Sequence, residues 1–427
     1  MTAEFEYKGI WWLPDKPDEQ IPGILKYSND TGAILDLIGA LPRGKYKFDF
    51  ILGFTENGKS VSLYNSFELQ RGFNLPGIET TKIYSNFAFI GSEHIDNSSK
   101  LKFYKSIIYL DYLDEWVNIR EGFKIDQNWK DKEVTIKYKL PEGVETNIGN
   151  KFKMTLNPTA KGPSLNIVQK EAKITQRINC LFEYKRKQSF DKILENENHF
   201  ERFLTLCSQR PLYPLEFILL NKDNQGKYSI KFEVFYQIPK YEKPKKDLIP
   251  FDFLVQFKKI ERNFDTIINR WFDSQSSLET CYIPYFNNFF GKQLYTSDKF
   301  LNICRAIEAF HRDTIGIRDP TTRKEYHYQK RVLEIFKNGS ACFNFLLKIR
   351  NKISFSEKIK NYRNDFTHSN PIMSNRNKKY LETHFLTEKL TIILTSAILQ
   401  YLGLSKKEIK HMIDETSLYT HIKHKIK

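Results

Sequence analysis

The residues best suited to chemistry lie in the segment Tyr362–Pro371, where Arg363 is separated from His368 by four residues. An imidazole titrates near neutral pH and can move a proton at an attacking or a leaving oxygen. A guanidinium is permanently charged and binds a phosphoryl group through two hydrogen bonds. These two side chains are the groups that metal-free cleavage of a phosphodiester bond requires, which makes the segment a candidate site for that reaction.

The helix period decides how these side chains could meet. Asn364 and His368 share a helix face, whereas Arg363 and His368 differ by about 140° around the axis, so only the long arginine side chain brings both to one phosphate. If Pro371 ends the helix, His368 lies in the last turn, where the helix dipole favours the imidazolium. A protonated donor at that place suits a general acid.

The positive charge of the chain is concentrated around this segment. The 427 residues carry a net charge of +16, of which 33 basic and 20 acidic residues from Tyr241 onward supply +13. Within Thr321–Tyr380 alone, 14 basic and 4 acidic residues give +10. Such a density favours a polyanionic partner, nucleic acid first, although a solvated basic face would look the same. The residues predicted to bind RNA phosphates are Arg323, Lys324, Lys330, Arg331, Lys360 and Arg376.

Several classes of protein are excluded by composition. With 40% hydrophobic and 28% charged residues the chain is neither disordered nor collagen-like. Its most apolar stretch, between Lys389 and Lys406, holds 16 uncharged residues, fewer than the roughly 20 of a spanning helix. The N-terminus has no secretory signal pattern, so we expect a cytoplasmic protein.

No cofactor and no metal site is predicted. The five cysteines are widely spaced without a Cys-x-x-Cys pair, so they are read as buried apolar residues. His421 and His424 could bind a metal in principle, but their place in a Lys-rich terminal tail favours disorder. His311 and His327 are expected to be solvated.

One motif matches a nucleotide-binding pattern by its letters. Gly53–Ser60 fits G-x-x-x-x-G-K-[ST], yet phosphate binding requires that such a loop open a helix. The residues after Lys59 alternate between apolar and polar types, and Asn57-Gly58 favours a tight hairpin turn. The pattern therefore predicts a β-hairpin and no ATPase.

The chain is predicted to be an α+β protein with three parts. Residues 1–175 read as a β-rich, sandwich-like N-terminal domain with short alternating strands between turn signals. Residues 176–245 read as a mixed α/β segment, with a helix at Ser189–Ser208 followed by two strands. Residues 250–427 read as an all-α bundle. Its expected helices include Arg331–Phe336, Ala341–Arg350 and Leu381–Leu402, after an apolar stripe at Phe253–Trp271.

The motif and its surroundings resemble a known superfamily. Arg363, a polar residue directly after it, and His368 resemble the Rx4-6H motif of HEPN ribonucleases. Asn302–Arg312 is similar to the first long helix of the HEPN domain in ApeA-type anti-phage defence proteins. The N-terminal β domain of the same proteins has segments similar to Trp12–Pro14, Ile21–Leu25 and Ile51–Gly58, and their middle segment is similar to Leu204–Leu220. The resemblance therefore covers almost the whole chain.

The resemblance implies a function and roles for residues. It implies metal-independent cleavage of RNA, with tRNA near the anticodon as substrate, leaving a 2′,3′-cyclic phosphate and a 5′-hydroxyl. Arg363 and His368 would be the catalytic pair, Asn364 a polar orienter and Glu308 an acidic residue that orients the arginine or the histidine. A surface ion pair of Glu308 with Arg305 or Arg312 is the alternative, and for Asn364 a simple helix-end hydrogen bond.

The implied partners are RNA, a second copy of the chain through the HEPN domain in a dimer or larger homo-oligomer, and a phage-derived trigger. A non-catalytic HEPN module that binds RNA or nucleotide, or neutralises a toxin, is the alternative function.

Overall fold

The chain divides into two compact units. The computed structural model describes all residues except 1–3, 43, 74, 75, 120, 167, 169, 239–247, 292, 293, 369–375, 426 and 427, and also omits the side chains of residues 166, 376–378, 424 and 425. The first unit comprises residues 1–114, 119–198 and 213–247. The second comprises residues 115–118, 199–212 and 248–427.

The first unit is built mainly from strands. Their bounds are β1 (Phe5–Trp12), β2 (Ile21–Ser28), β3 (Gly32–Ile38), β4 (Lys47–Thr55), β5 (Ser60–Gly72), β6 (Thr80–Gly91), β7 (Lys102–Leu110), β8 (Phe123–Asn128), β9 (Glu133–Tyr138), β10 (Val144–Ile148), β11 (Phe152–Asn166), β12 (Glu171–Ser189), β13 (Pro214–Asn221) and β14 (Ile230–Tyr236). The helices of the chain are α1 (Leu113–Val117), α2 (Phe190–Ser208), α3 (Phe257–Ile260), α4 (Phe264–Ser277), α5 (Glu279–Phe290), α6 (Thr296–Thr314), α7 (Tyr328–Leu347), α8 (Lys352–Thr367), α9 (Arg376–Tyr401), α10 (Lys406–Glu415) and α11 (Thr420–Lys425).

Twelve strands form one antiparallel sheet that partly closes on itself. Strand β5 pairs with both β4 and β6, so the strands β6, β3, β2, β1, β4 and β5 make a ring. One edge of β6 pairs with β3 through Thr80–Ser85 and then with β14 through Phe87–Gly91. The sheet therefore leaves the ring at β6 and continues through β14, β13, β7, β12, β11 and β10. Strands β8 and β9 form a separate hairpin.

Apolar side chains fill the ring of strands. The two glycines of the nucleotide-binding pattern, Gly53 and Gly58, have structural roles in it. Trp11 is fully buried in its core, and a Cβ atom on Gly53 would lie 2.2 Å from the Trp11 ring. Gly53 is thus a packing glycine in β4, and Gly58, with a φ of +72°, turns the chain from β4 into β5. The predicted hairpin is confirmed, because the residues directly after Lys59 form β5, which pairs with β4, and not a helix.

The predicted middle segment is not separate from the sheet. The boundary at residue 175 falls inside β12, which pairs with β11 on one edge and with β7 on the other. Strands β13 and β14 lie in the same sheet, while α2 begins at Phe190, one residue after the expected start. A boundary at residue 175 therefore cuts a single strand of 19 residues, which pairs with β11 from Glu171 onward.

In the helical unit, two expected breaks differ from the structure. Residues 331–350 were predicted as two helices, yet α7 runs unbroken from Tyr328 to Leu347. Gly339 lies inside this helix, where a Cβ atom would approach Cε1 of Phe343 to 2.9 Å and the amide nitrogen of Gln400 on α9 to 3.3 Å. Conversely, the apolar stripe at Phe253–Trp271 is interrupted, since a 3-10 turn separates α3 from α4.

The α+β class is confirmed, with strands in the N-terminal part and helices α5–α10 in the C-terminal part. Within the described residues, no helix has the length and apolar character needed to cross a membrane.

Candidate functional site

Helix α8 carries the predicted catalytic motif at its C-terminal end. The helix begins after Asn351, whose side chain accepts a hydrogen bond of 3.0 Å from the Ser354 amide. Its last residue is Thr367, and the His368 amide donates to the Asn364 carbonyl at 2.9 Å. His368 therefore lies one residue beyond the helix, next to the carbonyl groups whose dipole favours a cation. The expected terminator, Pro371, is outside the described residues.

Arg363 is held in place by two neighbouring helices. Its Nη2 donates to Oε2 of Glu308 on α6 at 2.9 Å, and its guanidinium lies 4.6 Å from the ring centre of Tyr328 on α7. Both partners of the ion pair are partly exposed, with 30% and 35% of their side-chain areas accessible. A guanidinium stacked on a ring and paired with a carboxylate is oriented while its outer edge stays open to solvent.

Tyr328 is supported from behind by a buried thiol. Its hydroxyl lies close to Cys304 of α6, and both residues are buried. Burial raises the pKa of the Tyr328 phenol well above its usual value and raises the pKa of the Cys304 thiol to about 12. Both groups are therefore neutral, so they act on Arg363 through packing and the ring face.

Glu308 pairs with Arg363 of α8 and not with Arg305 or Arg312 of its own helix. Arg312, at helical spacing from it, pairs with Asp313 at 2.8 Å. Arg305 is exposed on α6. The carboxylate of Glu308 instead accepts from Arg363, which is 55 residues away in sequence.

His368 and Asn364 are placed less firmly than Arg363. His368 is exposed and Asn364 is half-buried on α8. The Asn364 carbonyl accepts the helix-end bond from His368, which was the alternative role for this residue, although the bond uses the backbone and not the amide side chain.

The two helices that flank residues 369–375 are joined by polar contacts. Lys379 of α9 donates to Asp365 of α8 at 2.9 Å and lies 5.7 Å from the ring of Phe366. Tyr362 and Lys358 of α8 both contact Glu382 of α9. Burial and this carboxylate raise the pKa of Tyr362. These contacts fix the end of α8, from which His368 emerges.

The predicted RNA-binding residues are placed unequally. Arg323 and Lys324 are exposed in the loop before α7. Asp319 holds that loop by accepting from the Thr321 amide at 2.8 Å, and it also pairs with Lys330. Lys360 is half-buried on α8, and Arg376 opens α9 with its side chain outside the described residues.

Arg331 is a correction. Only 4% of it is exposed, and its guanidinium donates to the Tyr326, Gly316 and Ile317 carbonyls and contacts Nδ1 of His311 at 3.1 Å. It holds the loop before α7 and is not available to a phosphate. The expectation that His311 is solvated was also wrong, because its ring is fully buried.

Tyr328, which lies under the Arg363 guanidinium, is a residue of this site that the sequence interpretation missed. The predicted helix began at Arg331, three residues after Tyr328. An aromatic residue in the first turn of an amphipathic helix beside a cluster of cations is a signal that could have identified it.

No metal-binding arrangement is found in the part of the chain that the structure describes, where no three His, Cys, Asp or Glu side chains are placed to hold an ion. All five cysteines are buried free thiols. His421 belongs to α11 and pairs with Glu388 at 2.8 Å rather than lying in a disordered tail, and the side chain of His424 is outside the described residues.

Comparisons with known proteins agree with the two regions. Residues 6–271, more than half of the chain, match the family described as ApeA N-terminal domain 1, and residues 301–408 match the ApeA-like HEPN family. The first match extends past residue 250, where the bundle was predicted to begin. The curated proteins and the solved structures gave no match. HEPN domains are generally ribonucleases, and the second match contains Glu308, Tyr328, Arg363 and His368. The chain therefore belongs to the ApeA family of HEPN-domain anti-phage proteins.

Proposed function

We propose that this protein is a metal-independent endoribonuclease that cuts RNA with its C-terminal unit. The observation that carries the proposal is the ordered guanidinium of Arg363, stacked on Tyr328 and paired with Glu308, on the helix that ends at the exposed His368. A fixed cation and a titratable imidazole at one helix end are the two groups that phosphodiester transfer uses without a metal ion.

The proposed reaction is an attack of the 2′-oxygen on the adjacent phosphorus. The 2′-hydroxyl loses its proton to a base, the new O–P bond forms and the bond from phosphorus to the 5′-oxygen breaks. His368, as an imidazolium, gives its proton to the leaving 5′-oxygen, and Arg363 stabilises the charge on the non-bridging oxygens. The products are a 2′,3′-cyclic phosphate and a 5′-hydroxyl.

The base for the first proton transfer is assigned to a second copy of the chain. One α8 offers one histidine, and an imidazolium cannot accept the proton of the 2′-hydroxyl while it donates another. In a dimer through the HEPN units, neutral His368 of the partner subunit would accept that proton. The active form is therefore proposed to be a dimer or a larger homo-oligomer.

The proposed substrate is tRNA at the anticodon loop, in the cytoplasm of an infected cell, after a phage-derived trigger. The exposed Arg323 and Lys324 support an RNA backbone near the site, since lysine and arginine contacts to phosphates supply most of the affinity for nucleic acid. Half-buried Lys360 could add a contact of the same kind from α8.

A non-catalytic RNA-binding module is the second candidate. It is favoured by the ion pair itself, because a guanidinium already paired with Glu308 has less charge to offer a phosphoryl group. In the catalytic proposal this pair orients the guanidinium, whose remaining donors bind the phosphate.

The decisive experiment incubates the purified full chain with total tRNA in excess EDTA. We expect fragments with cyclic phosphate ends, identified by mass spectrometry, and their loss in Arg363→Ala and His368→Ala. The matched controls are Arg262→Ala and His411→Ala, which remove an exposed arginine and an exposed histidine of the same unit. RNA binding without cleavage under every activating condition, or cleavage that survives both test substitutions, would reject the catalytic proposal. Full activity of a well-ordered monomer would reject the shared cleft.

A further inference from the structure

The pairing of β12 with β7 in the first unit is interrupted by a bulge that contains three consecutive basic residues. Glu183 of β12 pairs with Lys105 of β7, and Gln188 pairs with Phe103. Four residues of β12 therefore lie opposite the single residue Tyr104, and three of them, residues 185–187, are the exposed Lys, Arg and Lys. A bulge re-aims side chains away from the regular ladder, and here it directs positive charge toward a tyrosine.

Two tyrosine rings and three ammonium groups form a compact cluster next to this bulge. Tyr104 and Tyr228 meet edge to face with ring centres 6.4 Å apart. The Nζ of Lys105 lies 3.9 Å from the centre of the Tyr228 ring, that of Lys187 lies 5.5 Å from Tyr104, and that of Lys222 lies 5.0 and 5.1 Å from the two rings. We call these five residues the tyrosine–lysine patch.

Two of the three ammonium groups have no acidic partner among the described residues. Lys105 pairs with Glu183 at 3.0 Å, whereas Lys187 and Lys222 are exposed and make no ion pair there. Neither tyrosine hydroxyl has a hydrogen-bond partner within the same set of residues. Ring faces attract these cations but do not neutralise them, so the patch keeps its positive potential and its hydroxyl donors.

The loop that carries Tyr228 is held in a defined conformation. The Asp223 carboxylate accepts hydrogen bonds from the Gln225 and Lys227 amides at 2.8 and 2.9 Å and from the Ser229 hydroxyl at 2.5 Å. These bonds lower the pKa of Asp223, so it stays ionised and keeps the turn in place. Tyr228 is thereby fixed beside Tyr104 before any ligand arrives.

We propose that the tyrosine–lysine patch binds single-stranded nucleic acid, independently of the cleavage site. Lys187, Lys222 and the tyrosine hydroxyls contact backbone phosphates, and the open parts of the two rings stack on bases. Lysines interleaved with aromatic rings are the combination that binds unpaired strands, because stacking accepts any base and the ammonium groups follow the backbone. Acidic peptides and anionic lipid surfaces would use the charge but leave the rings without a role.

The test measures binding of fluorescein-labelled oligo(dT) of 20 nucleotides to the full chain by anisotropy at several salt concentrations. A DNA strand has no 2′-hydroxyl, so the result does not depend on the proposed cleavage. We expect Lys187→Ala/Lys222→Ala to weaken binding about tenfold and to reduce the slope of log K against log salt by roughly 1.4, since each phosphate contact contributes about 0.7 for single strands. The matched control, Lys161→Ala/Lys173→Ala, removes two exposed lysines of the same unit and should leave both quantities unchanged.

Two further variants separate stacking from charge. Tyr228→Leu should weaken binding about tenfold, whereas Tyr228→Phe, which keeps the ring, should change it by less than threefold. Arg323→Ala/Lys324→Ala measures how much the C-terminal unit contributes to oligo(dT) binding. If the two sites are independent, the fold-changes in the dissociation constant from this variant and from the patch variants should multiply when they are combined.

The proposal is overturned if the patch variants bind oligo(dT) like the control, or if Leu and Phe at position 228 are equivalent. It is also overturned if polyglutamate or phosphatidylglycerol vesicles bind as tightly as oligo(dT) and lose binding equally in Lys187→Ala/Lys222→Ala, which would identify an unspecific anion surface.

Discussion

The two units of this protein use positive charge in different ways. In the helical unit, cations near the motif are mostly paired with carboxylates: Arg363 with Glu308, Lys330 with Asp319, and Lys379 with Asp365. In the β-rich unit, Lys187 and Lys222 lie over tyrosine rings and have no acidic partner among the described residues. The unit with the larger net charge therefore holds several cations near its motif in fixed geometry, and the β-rich unit displays two lysines without an acidic partner among the described residues.

Net charge and available charge are therefore separate quantities in this protein. Residues 241–427 carry +13 and residues 1–240 carry +3, yet carboxylate partners and burial decide which ammonium or guanidinium can meet a phosphate. Pairing suits chemistry, because a catalytic cation must hold one orientation. Pairing with a ring suits binding, because the cation keeps its charge.

The largest effect on the rate of RNA cleavage is expected at Arg363, whose guanidinium is held by Glu308 and Tyr328. Arg363→Ala should lower cleavage about a thousandfold, since it removes the charge that stabilises the phosphoryl oxygens. Arg363→Lys should still lower it about a hundredfold, because an ammonium lacks the two-pronged donor and stacks poorly on Tyr328. Initial rates on tRNA check both, with Arg262→Ala as the control. A lysine variant with full activity would show that charge alone suffices at this position.

Packing of the β-rich unit gives the next effect. Gly53→Ala should lower the free energy of unfolding by roughly 3 kcal/mol, because the added Cβ would overlap the Trp11 ring in the core. Denaturant unfolding followed by tryptophan fluorescence measures it. Gly58→Asn is the matched control, since that glycine has open space around it and asparagine tolerates its φ of +72°. Equal stability of the two variants would contradict the packing role of Gly53.

Removing the charge of Glu308 should separate its contribution to Arg363 from that of the Tyr328 ring. Glu308→Gln keeps the shape and an acceptor oxygen but loses the charge that orients Arg363. We expect cleavage about tenfold slower with an unchanged unfolding midpoint, because both side chains are partly exposed. An increase in RNA affinity together with faster cleavage would show instead that Glu308 restrains the arginine.

The smallest expected effect concerns pH and the buried His311. Burial is the main cause that lowers the pKa of His311, while the Glu334 carboxylate opposes it and Arg331 and Lys330 reinforce it. The unfolded chain then takes up this proton at higher pH than the folded chain. Stability should fall as the pH drops below about 6.5, and this part of the fall should disappear in His311→Gln. Unfolding midpoints at pH 7.5 and 5.5 test this, with the exposed His411→Ala as the control; an identical pH dependence in all three chains would contradict it.

Local patterns were sufficient for much of the architecture. Alternating residues with Asn57-Gly58 predicted the β4–β5 hairpin, and helical spacing predicted α2 and α9. These features depend on neighbours within a few residues, where propensity and period act directly. The continuity of α7 across residues 337–340 was missed, and the close approach of α9 at Gly339 involves Gln400, about 60 residues later.

By itself the sequence determined that the chain is an α+β protein with an arginine and a histidine at the end of one helix inside a strongly basic region. Only the tertiary structure decided that Glu308 pairs with Arg363 rather than with its helix neighbours, that Tyr328 lies under the guanidinium, that Arg331 is buried, and that the free lysines lie over tyrosines in the other unit. The physical reason is that a charge is neutralised or exposed by atoms within a few ångströms in space, and in this protein many of those atoms come from distant residues: His311 is 20 positions from Arg331, Glu308 is 55 from Arg363, and Tyr104 is 118 from Lys222.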